Sequence, residues 1–198
     1  MTMILGLTGG IATGKSTVAK MFIEKDIPVI DTDLISRSLL NKGTDAYYEI
    51  VKSFSSEILL TNLDINRKKL ARKIFSNPQK RQILNDIVHP RVKEIVDNEI
   101  SKFEELGNNI IVIDVPLLFE TNYQDIVDKT IVVYTTKTQQ MNRLVSRDNI
   151  TKEYAQMKIN AQMSLSEKVD LADYVINNSF SILDTKRDFN KILEDLGV

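Results

Sequence analysis

The chain contains no cysteine, no tryptophan and only one histidine among 198 residues. Without cysteine there are no disulfides, no thiolate chemistry and no cysteine-ligated zinc. Nor is there an excess of either charge: 26 basic and 27 acidic residues leave a net charge of −1. Most nucleic-acid binders show an overall basic excess, so nucleic acid is not an expected partner. No long uninterrupted apolar run occurs, so neither a membrane span nor a membrane partner is expected. The opening MTMILGLTGG lacks the basic segment and small-residue cleavage site of a secretory signal. These absences together point to a soluble cytoplasmic protein.

What is present is a chain rich enough in apolar residues, at 42%, to bury a substantial core. Five short apolar runs read as strands: Met3–Thr8, Pro28–Asp31, Asn109–Val115, Thr130–Tyr134 and Tyr174–Ile176. They are continuous rather than alternating, as in strands buried on both faces, which predicts a parallel sheet with helices on both sides. Residues 32–108 are patterned as helix, far more than one crossover needs, and read as a helical subdomain. Within them Pro90 is expected to bend or break a helix. Residues 138–171 are also helical, with capping boxes expected at Thr136–Gln139 and Ser164–Glu167. A last helix is expected over Ile182–Leu196.

Between the first strand and the first helix lies Gly9-Gly10-Ile11-Ala12-Thr13-Gly14-Lys15-Ser16, which matches G-x-x-x-x-G-K-[ST]. Wrapping a polyphosphate in backbone N–H groups takes unusual φ values and little side-chain bulk. The helix that follows points its N-terminus at the same anion. Lys15 can bridge β- and γ-phosphates, and the Ser16 hydroxyl can ligate Mg²⁺. Strand, loop and helix in that order predict nucleoside triphosphate binding.

A GTPase needs Asn-Lys-x-Asp, and Asn41-Lys42-Gly43-Thr44 lacks the Asp and follows the wrong strand. A small kinase remains, and it needs a carboxylate at the acceptor, cations over the phosphoryl group and a cover against water. Asp31 and Asp33 end the second strand, where ligands of open parallel sheets bind; Asp33 would equally well cap the next helix. Asp114 ends the third strand and reads either as a metal or acceptor neighbour or as part of a turn with Pro116. Arg143 and Arg147 share a helix face, which more often means a solvated face than a phosphate clamp. His89 reads as a packed or capping residue rather than a base.

GLTGGIATGKS (6–16), Asp31-Thr-Asp33 with Arg37, His89-Pro90, DVPLLFE (114–120), the arginine-bearing helix with Arg143 and Arg147, INAQM (159–163) and LADYVINN (171–178) together resemble the dephospho-coenzyme A kinase family. The resemblance implies an α/β P-loop kinase: a three-layer sandwich on a five-stranded parallel sheet. The core would be 1–31, 109–137 and 172–198, the helical acceptor region 32–108, and the lid 138–171. It implies transfer from ATP, with Mg²⁺, to the ribose 3′-hydroxyl of dephospho-CoA. Asp33 would be the base, with Asp31 assisting the metal through water. Gly9, Gly10, Ala12, Thr13, Gly14, Lys15, Ser16 and Thr17 would hold ATP. Arg147 and Arg143 would be lid cations, and Asn177 would lie near adenine. Thr8, Asp31, Arg37, His89, Asp114, Pro116, Leu118 and Phe119 would bind the acceptor. A kinase for another small acceptor, such as a nucleoside monophosphate, is the alternative within enzymes; a nucleotide-responsive binding protein is the alternative outside them. Three positions depart from the family pattern: Ala12 replaces a loop glycine, Thr32 an alanine and Lys158 an arginine. Lysine keeps the charge but not the bidentate fork.

Overall fold

The computed structural model describes residues 2–75 and 77–198. The chain divides into two compact units, one formed by Met1–Ile30 with Phe103–Val198 and the other by Asp31–Lys102.

The first unit is built on a five-stranded sheet whose strands are β1 (Met3–Gly9), β2 (Val29–Asp31), β3 (Ile110–Asp114), β4 (Lys129–Tyr134) and β5 (Tyr174–Asn177). Their order is β2-β3-β1-β4-β5. β1 pairs in parallel with both β3 and β4, and β4 with β5. The five apolar runs are thus the five strands, each end within one or two residues of the expected one. The first strand lies in the centre, and the connections leave it in opposite directions. That makes its carboxyl end the switch point where open α/β sheets bind ligands.

Helices α1 (Lys15–Ile23) and α9 (Ile182–Asp195) cover one face of the sheet. Val18, Phe22, Phe189, Ile192 and Leu193 pack there against Leu5, Leu7, Val112, Ile131, Val133 and Ile176. The rings of Phe22 and Phe189 meet edge to face, 4.7 Å between centroids. On the opposite face Gly6 lets Leu118 come close; a Cβ at Gly6 would stand 2.5 Å from the Leu118 side chain. Also in this unit are α6 (Lys137–Asp148), α7 (Lys152–Asn160) and α8 (Leu165–Leu171).

The second unit is helical: α2 (Thr32–Leu39), α3 (Asp45–Phe54), α4 (Arg67–Phe75) and most of α5 (Pro78–Glu105). Its buried side chains include Tyr47, Ile50, Phe54, Ile58 and Leu70. Pro90 does not break α5, which runs through it. Proline there removes a backbone bond, but burial of Ile87, Val88, Val92 and Val96 on either side holds the helix together. The Arg91 guanidinium adds a 2.6 Å bond to the Ile87 carbonyl one turn back.

The caps also refine the sequence reading. At Ser164 the full capping box forms with Glu167. At Thr136 only half does: its hydroxyl accepts from Gln139 N–H, while the Thr136 N–H donates to Ser179 Oγ and the Gln139 amide to the Ser179 carbonyl. A second full box, Ser181 with Asp184, starts α9.

Candidate active site

The loop after β1 is shaped by protein contacts from behind. Ala12 sits at φ 61° and Gly14 at φ 95°. Alanine therefore adopts the left-handed conformation that glycine would take more easily, at a cost of about 1 kcal/mol. Gly14 is the N-cap of α1 and offers no side-chain bond, whereas α2, α3, α6, α7, α8 and α9 are each capped by a hydroxyl or carboxylate. Three carbonyls of the loop are held by the protein. Gly10 O accepts from the Thr13 N–H and hydroxyl. Ile11 O accepts from the Gln140 amide at 2.9 Å. Thr13 O accepts from Asn178 Nδ2 at 2.7 Å and Arg143 Nη1 at 3.4 Å. The Ile11 and Thr13 N–H groups are bonded within the protein, and it is the start of α1, which no side chain caps, that suits an anion.

Lys15 pairs with Asp114, a residue 4% exposed at the end of β3. The aspartate sits on the strand beside β1 and holds the ammonium next to the phosphate loop. Ser16, in the first turn of α1, is exposed. No group of three or more His, Cys, Asp or Glu able to hold a metal ion exists among the described residues.

Arg143 is not on a solvated face: its two terminal nitrogens bond Thr13 O and, at 3.0 Å, Asn178 O. Arg147, one turn on, is exposed and gives its Nε to Asp148 at 2.8 Å. The other Asp148 oxygen takes Lys158 Nζ at 2.7 Å. Those two cations hold the Asp148 carboxyl down at about 2, the Arg147 bond contributing most. Lys158 is therefore tied to the neighbour of Arg147, a use invisible in its substitution for arginine.

Several expected ligand residues are buried in the structure. Leu118 and Thr8 are fully buried and Phe119 nearly so. Leu118 fills the space over Gly6, and Thr8 gives its hydroxyl to the Pro116 carbonyl at 3.2 Å. Neither presents a surface to a ligand in this conformation. Asn177 is occupied locally: its side chain accepts from Ser179 N–H and its N–H goes to Asp188. Its neighbour Asn178 is the residue that reaches the loop, steadied by the Thr185 hydroxyl at 2.9 Å.

In the helical unit, the N-cap of α2 is Asp31, not Asp33: Asp31 Oδ1 accepts from Leu34 N–H at 2.9 Å. The helix starts two residues earlier than a cap at Asp33 implies, which moves the cap and leaves Asp33 exposed in the first turn. Arg37, on α2, and His89, on α5, are exposed as well.

Sequence reasoning missed Gln140, Gln162, Asn178, Glu120 and Lys168. Gln162 accepts the Ile11 N–H at 2.8 Å, and Lys168 is a fully buried lysine paired with Glu120. Burial lowers the Lys168 pKa from its ordinary value against the pull of Glu120.

Comparison with known proteins agrees along nearly the whole chain. The family model for dephospho-CoA kinase matches residues 3–184. A dephospho-CoA kinase of Listeria innocua is 43% identical over 194 residues, covering 98% of this chain and 97% of its own. Among solved structures, a Thermus thermophilus protein is 29% identical at TM-score 0.86, covering 98% of both chains. A dephospho-CoA kinase from Campylobacter jejuni is 26% identical at TM-score 0.73, covering 99% of this chain and 98% of that one.

Proposed function

The chain belongs to the dephospho-CoA kinase family, and on that premise we propose that it transfers the γ-phosphoryl group of ATP to the ribose 3′-hydroxyl of dephospho-CoA, yielding CoA and ADP. The observation that carries the reading is the pre-shaped phosphate loop with Lys15 held beside it by Asp114. No described helix is long and apolar enough to cross a membrane, and the cytoplasm is the proposed place of action.

The chemistry assigns one task to each group. Asp33 takes the proton of the 3′-hydroxyl, whose oxygen then bonds the γ-phosphorus. The bond from that phosphorus to the β–γ bridging oxygen breaks, and the electron pair leaves with ADP. Lys15 and the loop N–H groups stabilise the charge that spreads over the phosphoryl oxygens. Arg147 adds a cation from the lid, and Arg143 holds the loop in shape from its bonds to Thr13 and Asn178. Arg37, His89 and the turn at Pro116 are assigned to the acceptor, Asn177 to the adenine side, residues 32–108 to the acceptor region and 138–171 to the lid.

Mg²⁺ suits the donors available. It keeps most of its waters and binds through one or two protein oxygens plus phosphates rather than in a protein cage. Ser16 would hold it directly and Asp31 through water; when bound it neutralises charge on the β- and γ-phosphates.

The test is ADP release from Mg²⁺-ATP with dephospho-CoA, AMP, CMP, dTMP, adenosine or no acceptor. Stimulation by dephospho-CoA alone, with CoA as product, is expected. Stimulation by a nucleotide instead would overturn the acceptor, and ATP binding without stimulation by any would overturn the transferase reading.

A further inference from the structure

A lysine at the centre of Leu165–Leu171 should, on its polar sequence surroundings, lie on a solvated helix face. Lys168 instead is 0% exposed. Burying an ammonium is costly unless its N–H groups are paired. Lys168 Nζ donates to Glu120 Oε2 and to the Pro116 carbonyl, both at 2.9 Å. The other Glu120 oxygen accepts the Met163 N–H at 3.0 Å, at the junction of α7 and α8.

The Pro116 carbonyl is the informative partner. It also accepts the hydroxyl of Thr8, the residue immediately before the phosphate loop. Pro116 lies two residues beyond Asp114, which pairs with Lys15. One carbonyl thus joins the strand entering the loop, the turn carrying Asp114, and α8. A methionine would fill the same volume without the cost of burying a charge. What only a cation with N–H donors supplies there is a hold on that carbonyl and on Glu120.

We propose that Lys168 is a positioning residue for phosphoryl transfer: by holding the Pro116 carbonyl and Glu120 it sets the 114–120 turn, and through Asp114 the place of the Lys15 ammonium. This rests on the kinase reading above. Lys168 touches no reacting atom; its effect reaches the reaction through Asp114.

The decisive comparison separates stability from rate. Lys168→Met alone strands Glu120 and should lower both melting temperature and kcat. The double variant Lys168→Met with Glu120→Met removes both charges, a replacement that often restores stability. It should regain most of the lost melting temperature yet keep kcat at least about tenfold below wild type, with KM for ATP within about threefold. Lys168→Arg, which keeps a cation and its donors, should recover part of the rate. A double variant with wild-type kcat, or an arginine variant no faster than the methionine one, would overturn the role. If Lys168→Met does not fold, the other two variants decide. The wild type is assayed alongside with dephospho-CoA: no turnover there overturns the kinase reading and this role together, whereas turnover there with an undiminished double variant overturns this role alone.

Discussion

Lys15 and Asp33 are both assigned to the phosphoryl transfer, and the two units treat them differently. In the sheet unit Lys15 is paired with a buried aspartate, and the loop around it is braced by Gln140, Arg143, Gln162 and Asn178. In the helical unit Asp33, Arg37 and His89 are exposed, on helices whose buried faces look the other way. The loop around Lys15 is therefore shaped by packing within the sheet unit. The proposed base Asp33 and the proposed acceptor residues Arg37 and His89 have exposed side chains on α2 and α5. A preorganised site stabilises developing charge without reorganising, and in the proposed reaction the braced loop is what meets that charge.

Lys15→Ala should break this contrast most severely. It removes the main cation from the transferring phosphoryl group, for a loss of about a thousandfold in kcat. It also takes a partner from a buried carboxylate, so the melting temperature should fall too. Asp33→Asn should lower kcat by about a hundredfold while KM for ATP holds. Its melting temperature should stay at wild type, since the side chain is exposed. Steady-state ADP release and thermal melts on both proteins make the check. Asp33→Asn with near wild-type kcat would remove the base assignment, and an unchanged melting temperature in Lys15→Ala would deny that the Asp114 pair braces the fold.

The glycines of the loop sharpen the same point at smaller scale. A Cβ on Gly10 would stand 2.6 Å from Gln140 Nε2 and 3.1 Å from Leu165. A side chain at Gly10 would thus press on Gln140 and Leu165 in the helices packed behind the loop. Gly43, in the helical unit at φ 100°, has open space around it. Gly10→Ala should cost about 1–3 kcal/mol from overpacking, and Gly43→Ala about 1 kcal/mol from backbone strain alone. Urea unfolding of the two variants tests this; equal costs would mean that the packing behind the loop yields freely.

The strands and the loop were legible in the sequence because each carries a local signal. Continuous apolar runs mark strands buried on both faces, and the Gly-Lys-Ser spacing marks the turn into a helix. What the sequence missed or misjudged comes down to one helix boundary and to partners distant in the chain. The cap moved from Asp33 to Asp31 because α2 starts two residues sooner, a boundary that propensity does not resolve. Asn178, a residue not singled out in the sequence, meets the loop because β5 ends at Asn177 and the chain then turns. Lys168 is hidden because its partner Glu120 lies 48 residues away in the chain. Arg143 looked like half of an exposed pair, and only the fold brings Thr13 and Asn178 to it. Charge burial is a long-range property, and one sequence shows only its short-range part.

The smallest effect belongs to the lid end of the sheet unit, where bracing gives way to exposure within one turn of α6. Arg147 is exposed, and Asp148 takes its Nε together with the Lys158 ammonium. Solvent screens such pairs, so Asp148→Asn should cost only about 0.5 kcal/mol at neutral pH. The sign of its pH dependence follows from the carboxyl standing at about 2 in the folded protein, below its ordinary 3.8. A lowered carboxyl pKa stabilises the fold fully above the ordinary value and loses that contribution as the pH falls toward the folded one. The gap in urea midpoint between wild type and Asp148→Asn should therefore be constant from pH 7 to about 5 and close progressively toward pH 2. A gap that stays open at low pH would show that Asp148 acts through packing rather than charge. Arg147 would then be held by something other than its neighbour, and the line between the braced loop and the exposed lid would fall further along the helix.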